Sequence, residues 1–516
     1  MTWGLDGMWE VGWYVGSWGN WVALAGFPKK FNDIINHTLK KVIFLCLKGK
    51  KGVFMAASRL PINVRLPGAY FDVRSLPRPI GGIGSRGTVA IMADLPWGDT
   101  EGFFNLPGRV FLTNKSLPIV GMTAVDFEEN KQLRLALAGC QNVLVLRANV
   151  GGDRACGSVG SVAFEAWHFG AAGNNIRPVI TKNALDEFVV SIFWGNTLID
   201  RQTVSEIAQL QDVEKVVKIS YPVNAELTVG TTTLEGGTDG TVDFTAKLPD
   251  FFKQLEYHVW EWDVAAFAFA AGTPERALCS QFMSRLNEEY QLDQQCVVIG
   301  DGANNRSVIG VEDALEINNE VLSLDDMVFL TAGIQAGLEL GESATNLSID
   351  GAARLIPEHT RDELRDANER GVIVHTRRSD RSIAVLRDIN SFVSLTPDFN
   401  YEWTKNMVVR TINNIKKDIH RIWETSFKGK VHNTIEGRAT LFTEIHGLLL
   451  QYQAIPAIQN HTADRLTVEL GERSDQVIIR ISVIEVVDVM EELDVVARIT
   501  GGRPTISMTM EGALTA

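Results

Sequence analysis

Four residues of this 516-residue chain have the side chains of a hydrolase triad: Ser343, His258, His375 and Asp301. Ser343 follows Gly341-Glu342 but lacks the second glycine of the G-x-S-x-G turn that exposes a nucleophile. No motif surrounds Asp301 or either histidine. Because such a set can be picked from almost any chain of this length, we assign no catalytic residue, and an α/β hydrolase remains only an alternative.

Two glycine-rich segments resemble ligand-binding loops by their letters. GIGSRG at 82–87 matches G-x-G-x-x-G, but a proline-rich turn precedes it and the strand TVAIM follows, whereas a dinucleotide site needs a strand before and a helix after. LEGGTDG at 234–240 places Asp239 between glycines, as in a phosphate or metal loop, but the pattern is more typical of a turn where the chain enters another domain. We therefore predict no cofactor and no cofactor-binding residue.

The cysteines are odd in number and widely spaced, and none forms a C-x-x-C pair. This pattern favours buried free thiols in a reducing compartment and predicts no metal site. The five are Cys46, Cys140, Cys156, Cys279 and Cys296.

Composition limits the classes of partner. The formal net charge is -14 and the sequence pI is about 5.2, which argues against the basic face that a nucleic-acid binder needs. A hydrophobic content of 45% in 516 residues is enough for three or four domains with separate cores. We expect a globular protein without membrane insertion, whose partner surfaces are neutral or basic.

The first 54 residues differ from the rest of the chain. Five of the twelve tryptophans and seven lysines lie there among glycines, and the pattern fits neither a signal peptide nor a membrane span. Codons for Lys51-Gly52-Val53-Phe54 can form a ribosome-binding sequence upstream of Met55. We interpret residues 1–54 as a non-native upstream extension and Met55 as the initiator.

From Met55 onward, hydrophobic patterning predicts a lone strand within 65–75 and recurrent short strands over 141–235, typical of a β-sandwich. Between 241 and 390, apolar strands such as AAFAFAAG, CVVIGDG and MVFLTAGIQAG alternate with helices near 247–256 and 275–290, which predicts a largely parallel α/β layer. A lone strand must pair elsewhere, which favours assembly.

The last hundred residues predict two amphipathic helices, at 407–423 and 436–452, with Lys405, Lys416, Lys417 and Arg421 outside the apolar stripe of the first. Strands follow near 464–470 and 477–486. The acidic run DVMEELD, 488–494, reads as a short helix before a final strand VVARIT at 495–500.

Six segments in this order resemble contractile tail sheath proteins of the phage type: LPGAYFDVRS, RGTVAIMADLPWG, LEGGTDG, GESATN, DINSFVSLTPDFNYEWTKNMVVRTINNI and VIEVVDVMEELDVVARI. The resemblance implies a multidomain fold with α/β and α+β parts. After the extension, its domains are an N-terminal arm with a small α/β region (55–140), an inserted β-sandwich (141–235), a subtilisin-like α/β sheath domain (236–395), and a C-terminal α+β sheath domain with linker strand and tail (396–516).

The same resemblance implies a structural subunit that stacks as hexameric rings around a tail tube and contracts to drive the tube through a cell envelope. Its partners would be other copies, the tube protein, and baseplate and tail terminator proteins. Two segments would exchange strands between subunits, and a short acidic helix would face the tube. The strand residues are Ala69, Tyr70, Phe71, Asp72, Val73, Val495, Val496, Ala497, Arg498 and Ile499, and the helix residues are Asp488, Glu491 and Glu492.

The resemblance also implies assembly in a bacterial host cytoplasm, with the product in a virion tail or a tailocin particle. A secretion-system sheath subunit is the nearest alternative, and it would normally require a second, different sheath subunit.

Overall fold

The computed structural model describes residues 13–15, 21–23, 86–107, 130–300 and 304–496. The chain forms two compact units, Met1–Leu76 and Pro77–Ala516. In the first unit, β1 (Trp13–Val15) and β2 (Trp21–Ala23) pair antiparallel. The strand expected at Ala69–Val73 lies outside the described residues.

The second unit begins with a strand buried along its whole length. A continuous apolar run without alternation is typical of a parallel strand covered on both faces. The elements of this part are β3 (Thr88–Ala93), β4 (Phe104–Pro107), α1 (Lys131–Ala136), β5 (Asn142–Arg147) and β6 (Asn149–Val150).

Two small antiparallel sheets follow, ordered β11-β10-β9-β13 and β12-β8-β7, and they share a core that includes Phe164, Ile192 and Trp194. The expected start of this sandwich at 141 is too early, because residues 142–147 are a strand of the large central sheet. The strands are β7 (Cys156–Val159), β8 (Val162–Ala166), β9 (Ile176–Lys182), β10 (Phe188–Trp194), β11 (Thr197–Val204), β12 (Val217–Ser220) and β13 (Gly230–Thr231).

Helices and strands then alternate up to residue 385. The helices are α2 (Phe244–Tyr257), α3 (Pro274–Tyr290), α4 (Leu324–Gly337) and α5 (Arg361–Glu369). The strands are β14 (Thr241–Val242), β15 (Val264–Phe267), β16 (Gln295–Ile299), β17 (Val308–Val311), β18 (Ala314–Ile317), β19 (Glu320–Val321), β20 (Ala352–Ile356), β21 (Val372–Ile373), β22 (His375–Arg377) and β23 (Ile383–Val385).

A seven-stranded sheet ordered β21-β17-β16-β15-β3-β5-β4 organises this unit. Its neighbouring strands pair parallel except β4 with β5. One face packs on α1 and α4, and the other on α2 and α3. The prediction of a mixed α/β fold with a largely parallel sheet is confirmed.

The apolar segment MVFLTAGIQAG is helical, so its prediction as a strand was wrong. It belongs to α4, which begins with a capping box between Ser323 and Asp326. The helix is buried on nearly every side, which removes the 3.6-residue polar pattern that distinguishes a helix from a buried strand. It also lies so close to α1 that a Cβ on Gly333 would be 2.2 Å from the Ala136 carbonyl oxygen.

The C-terminal part contains two long helices and two short strand pairs around a core of Ile445, Leu448 and Tyr452. Helix α6 (Asn406–Ile422) continues into a π-helical turn at Trp423–Phe427, and α7 (Ile435–Ala454) follows. The strands are β24 (Ile458–Gln459), β25 (Leu466–Leu470), β26 (Val477–Ile481) and β27 (Glu485–Val486). The two predicted helices and the strand near 464–470 are confirmed, whereas the strand predicted at 477–486 is divided into β26 and β27, which pair with different partners.

Candidate assembly interface

Helix α6 is buried on two faces of opposite character. Ile415 and Ile422 pack in the apolar core shared with α7. The other face buries polar side chains against the central sheet. The Gln295 side chain donates to the Asn406 side chain at 2.9 Å, and the Asp293 backbone amide donates to the Asn413 side chain at 3.0 Å. Because each bond fixes a direction as well as a distance, this face sets one orientation of the C-terminal helices on the α/β layer.

Asp388 is the centre of this polar contact. Its carboxylate accepts hydrogen bonds from Gln335 at 2.6 Å, from Asn406 at 2.8 Å and from the Ala344 amide at 3.0 Å. Arg410 lies 3.9 Å away and donates to Gln335 at 2.9 Å. Burial lowers the pKa of Arg410, and the Asp388 charge opposes that shift. The four side chains join α4, α6 and the segment after β23.

The lysines of α6 that the sequence places outside its apolar stripe make ion pairs within the subunit. Lys416 contacts Asp293 at 2.7 Å and Lys417 contacts Asp263 at 2.9 Å. Arg421 is 3.1 Å from Asp418. The charged face of α6 is therefore largely used inside the chain.

The acidic segment 488–494 is not helical, so that prediction was wrong. Seven residues make barely two turns, too short to be helical without supporting contacts. Its carboxylates instead pair with two cations, Arg387 after β23 and Lys405 at the start of α6: Asp488 contacts Lys405, Glu492 contacts Arg387 at 3.3 Å, and Glu491 contacts both.

Glu491 faces inward, contrary to the expectation that it faces the tube. Its side chain is 8% exposed, whereas that of Glu492 is 81% exposed. Burial alone would raise the pKa of Glu491, but hydrogen bonds from Arg387 and Thr345 hold it below its ordinary value. The sequence shows the negative charges of this segment, but it does not show that Arg387 and Lys405 bind them.

The expected strand at the C-terminus begins within the described residues. Val495 and Val496 are 77% and 89% exposed and belong to no strand of this single chain. Ala497, Arg498 and Ile499 lie outside the described residues. Exposed apolar residues outside the subunit's own sheets retain main-chain donors and acceptors for another strand.

The structure does not bring the hydrolase-like residues together. Ser343 makes hydrogen bonds with Thr345 at 3.1 Å and Asp388 at 3.5 Å, and His258 lies 3.1 Å from Glu261. His375 pairs at 2.8 Å with Asp313, which sequence reasoning missed. Asp301 lies outside the described residues.

Asp313 and His375 are both almost fully buried, and His359 lies 3.6 Å from the same carboxylate. Burial opposes ionisation of Asp313, yet His375 and His359 lower its pKa to about 2. No local motif marks Asp313 in the sequence, because its partners come from separate elements.

The loop containing Asp239 has a structural role. Asp239 accepts from the Ala171 amide at 2.6 Å, and a Cβ on Gly237 would be 2.4 Å from the Gly170 carbonyl oxygen. Beside it, the fully buried Arg147 donates to the carbonyls of Leu95 at 2.7 Å and Phe169 at 2.6 Å. These contacts close the junction between the sandwich and the central sheet.

The glycine-rich match and the cysteines are the remaining candidate sites. Gly87 ends the glycine-rich match, and its amide donates to Asp263 at 2.9 Å, while residues 82–85 lie outside the described residues. Cys279 and Cys296 are buried, but Cys156 is exposed, so the prediction of a buried thiol was wrong there. In the described part of the chain, no three His, Cys, Asp or Glu residues form a metal-binding group, and no helix has the length and apolarity to cross a bilayer.

Comparison with protein families identifies two sheath domains. Residues 251–391 match the phage tail sheath protein central domain, and residues 398–500 match the phage tail sheath C-terminal domain. The second match includes the acidic segment. The chain therefore contains the central and C-terminal domains of phage tail sheath proteins.

Similarity to individual proteins extends over most of the chain. The phage-like element PBSX protein XkdK of Bacillus subtilis (strain 168) is 25% identical over 81% of this chain and 93% of its own. The sheath tail protein DSY3957 of Desulfitobacterium hafniense is 26% identical, with a TM-score of 0.59 over 82% of this chain and all of its own. The sheath tail protein Lin1278 of Listeria innocua has the same fold, with 24% identity and a TM-score of 0.72 over 80% of this chain and 94% of its own.

Proposed function

We propose that this chain polymerises as stacked hexameric rings around a tail tube and contracts to drive the tube through a cell envelope. The observation that carries the proposal is the C-terminal segment, which leaves the subunit with Leu493, Val495 and Val496 exposed. An isolated chain gains nothing from exposing three large apolar residues within four positions, whereas a neighbour that adds a strand there buries them.

In this proposal, Ala69–Val73 of one copy and Val495–Ile499 of another add strands to a third. Main-chain hydrogen bonds keep subunits joined while side-chain contacts between rings change. Burial of about 100 Å² more apolar surface per subunit would release roughly 2.5 kcal/mol each. Repetition along a tail amplifies that difference into work against an envelope.

The tube, in this proposal, meets the outer side of segment 488–494. Of the three acidic residues predicted to face the tube, Glu492 is exposed and Asp488 lies partly exposed beside Lys405. Surface ion pairs contribute about 0–1 kcal/mol each, so several such contacts can hold register and still release together. Baseplate and terminator proteins would meet the two ends of the polymer, which would assemble in a bacterial host cytoplasm.

The central sheet with α4 acts in this proposal as a subtilisin-like scaffold that performs no catalysis. Its buried Asp313–His375 pair would then be structural. Turnover of an ester or peptide substrate, abolished by His375→Ala, would favour the hydrolase alternative instead.

Negative-stain electron microscopy of protein expressed from Met55, beside the full chain, tests the proposal. Hollow striated tubes from the Met55 protein alone would support it and argue against a second sheath subunit. Discrete monomers that also fail to polymerise with a tube protein would contradict it. If residues 1–54 are a non-native extension, the full chain should polymerise less well.

A further inference from the structure

The side chain of Glu491 is enclosed although the segment around it is exposed. Met490 before it is fully exposed, and the Glu492 side chain after it is 81% exposed, against 8% for Glu491. Thr345 donates to one carboxylate oxygen at 2.9 Å, Arg387 donates to the other at 2.8 Å, and Lys405 lies 3.2 Å from that second oxygen. Both oxygens are therefore bonded to parts of the subunit outside the C-terminal segment.

The groups that hold Glu491 are themselves fixed. The Thr345 hydroxyl accepts from the Asp388 amide at 2.9 Å, and Lys405 is 6% exposed at the start of α6. Arg387 directly precedes Asp388, the centre of the polar contact between α4 and α6. The carboxylate is thus attached directly beside the buried hydrogen-bond network of Asp388.

The backbone offers little other attachment at this point. Strand β27 ends at Val486, and the Val487 amide donates to Ala457 at 3.1 Å. Over residues 488–496, the hydrogen bonds to the rest of the subunit run through Asp488, Glu491 and Glu492. Of these three, Glu491 is the one shielded from water, where charge-assisted bonds are strongest.

We propose that Glu491, held by Arg387, Lys405 and Thr345, anchors the root of the C-terminal segment and fixes where that segment leaves the subunit. The anchor rests on the proposed function, since it matters for assembly only if a neighbouring copy binds the residues beyond it. It keeps a strand captured by that neighbour from pulling the segment off its own subunit, because removal would break the hydrogen bonds of the Glu491 carboxylate and leave the mostly buried Arg387 and Lys405 without this partner.

The test compares Glu491→Gln with Asp494→Asn in the full chain. Both changes remove one negative charge from the same segment, but Asp494 is exposed. The readout is hydrogen exchange of the Val487 amide, which donates to the Ala457 carbonyl where the segment begins, in unassembled protein, with circular dichroism as the check on folding. Glu491→Gln should speed exchange about tenfold or more, because hydrogen bonds to a charged group are lost, and Asp494→Asn by less than about twofold.

A second pair of variants keeps the test decisive if Glu491→Gln folds poorly. Arg387→Gln should speed hydrogen exchange of the same amide. The double variant should exchange little faster than either single variant, because the two residues act together. Equal exchange in Glu491→Gln and Asp494→Asn, or fully additive effects of Glu491→Gln and Arg387→Gln, would overturn the anchor.

Electron microscopy of the same variants separates the anchor from the proposed function. If wild-type protein polymerises, Glu491→Gln should give fewer or irregular tubes and Asp494→Asn normal ones. Normal tubes from Glu491→Gln would remove the anchor and leave the sheath function intact. Failure of every protein to polymerise would count against the function, while the exchange result would still decide the anchor.

Discussion

Replacement of Asp388 by alanine tests whether polar contacts fix α6 on the central sheet. The change removes the acceptor of three hydrogen bonds of 3.0 Å or less, from Gln335, Asn406 and the Ala344 amide, and leaves Arg410 buried beside a cavity. Loss of one partner of a buried charged network costs about 3–5 kcal/mol. Against a total of about 5–15 kcal/mol for a typical domain, this is a large fraction.

Urea unfolding of unassembled Asp388→Ala protein, followed by circular dichroism, should show a clearly lower midpoint at an unchanged slope. Hydrogen exchange should rise most in α4 and α6. Glu358→Ala is the matched control, because its ion pair with Arg377 at 2.9 Å joins side chains that are 66% and 38% exposed, and such pairs contribute about 0–1 kcal/mol. Equal midpoints for the two variants would refute the reasoning.

Three further predictions follow from buried contacts. Gly333→Ala should destabilise the protein by more than about 2 kcal/mol, since its Cβ would lie 2.2 Å from a carbonyl oxygen of α1. Gly447→Ala, which has open space around it in α7, should instead stabilise the protein by about 0.5–1 kcal/mol. Thermal unfolding measures both changes, and stability changes of the same sign would contradict the close packing of α4 on α1. Arg147→Met removes hydrogen bonds to two carbonyls at the junction between the sandwich and the central sheet. Protease cleavage should therefore increase at 148–155 and 235–240 before elsewhere. Cleavage spread evenly over the chain would argue against a local role of Arg147 at this junction. The pKa of Asp313 is held at about 2, below the ordinary 3.8, so its contribution to stability is complete above pH 3.8 and is lost as pH falls towards 2; the stability gap between wild type and Asp313→Asn should narrow over that range, and a gap independent of pH would refute the assignment.

Local pattern was enough to predict much of the fold. The sequences of β3 and β16 predict buried strands because their apolar runs are short and uninterrupted. Those of α6 and α7 predict amphipathic helices because their apolar residues recur every three or four positions. The same reasoning predicted a strand where helix α4 lies, because burial on nearly all sides removes the helical alternation of apolar and polar residues. The segment 142–147 was predicted as a strand but assigned to the sandwich, because its partners in the central sheet, β3 and β4, lie far back in the sequence.

The candidate interface was predictable only in its composition. The sequence marks Asp488, Glu491 and Glu492 as an acidic run, but the cations that bind them, Arg387 and Lys405, lie more than eighty residues away. A carboxylate directed inward and one directed outward look identical in a sequence. The Asp388 network was missed for the same reason, because hydrogen-bond partners from separate segments leave no periodic signal.

The most direct test of the account is a cryo-electron microscopy reconstruction of the polymer formed by the Met55 protein. The account predicts sixfold rings around a hollow axis, with residues 495–499 of each copy hydrogen-bonded as a strand in a neighbour and Glu491 still bonded to Arg387 of its own subunit. A polymer without sixfold symmetry, or one in which residues 495–499 pair with no neighbour, would contradict it.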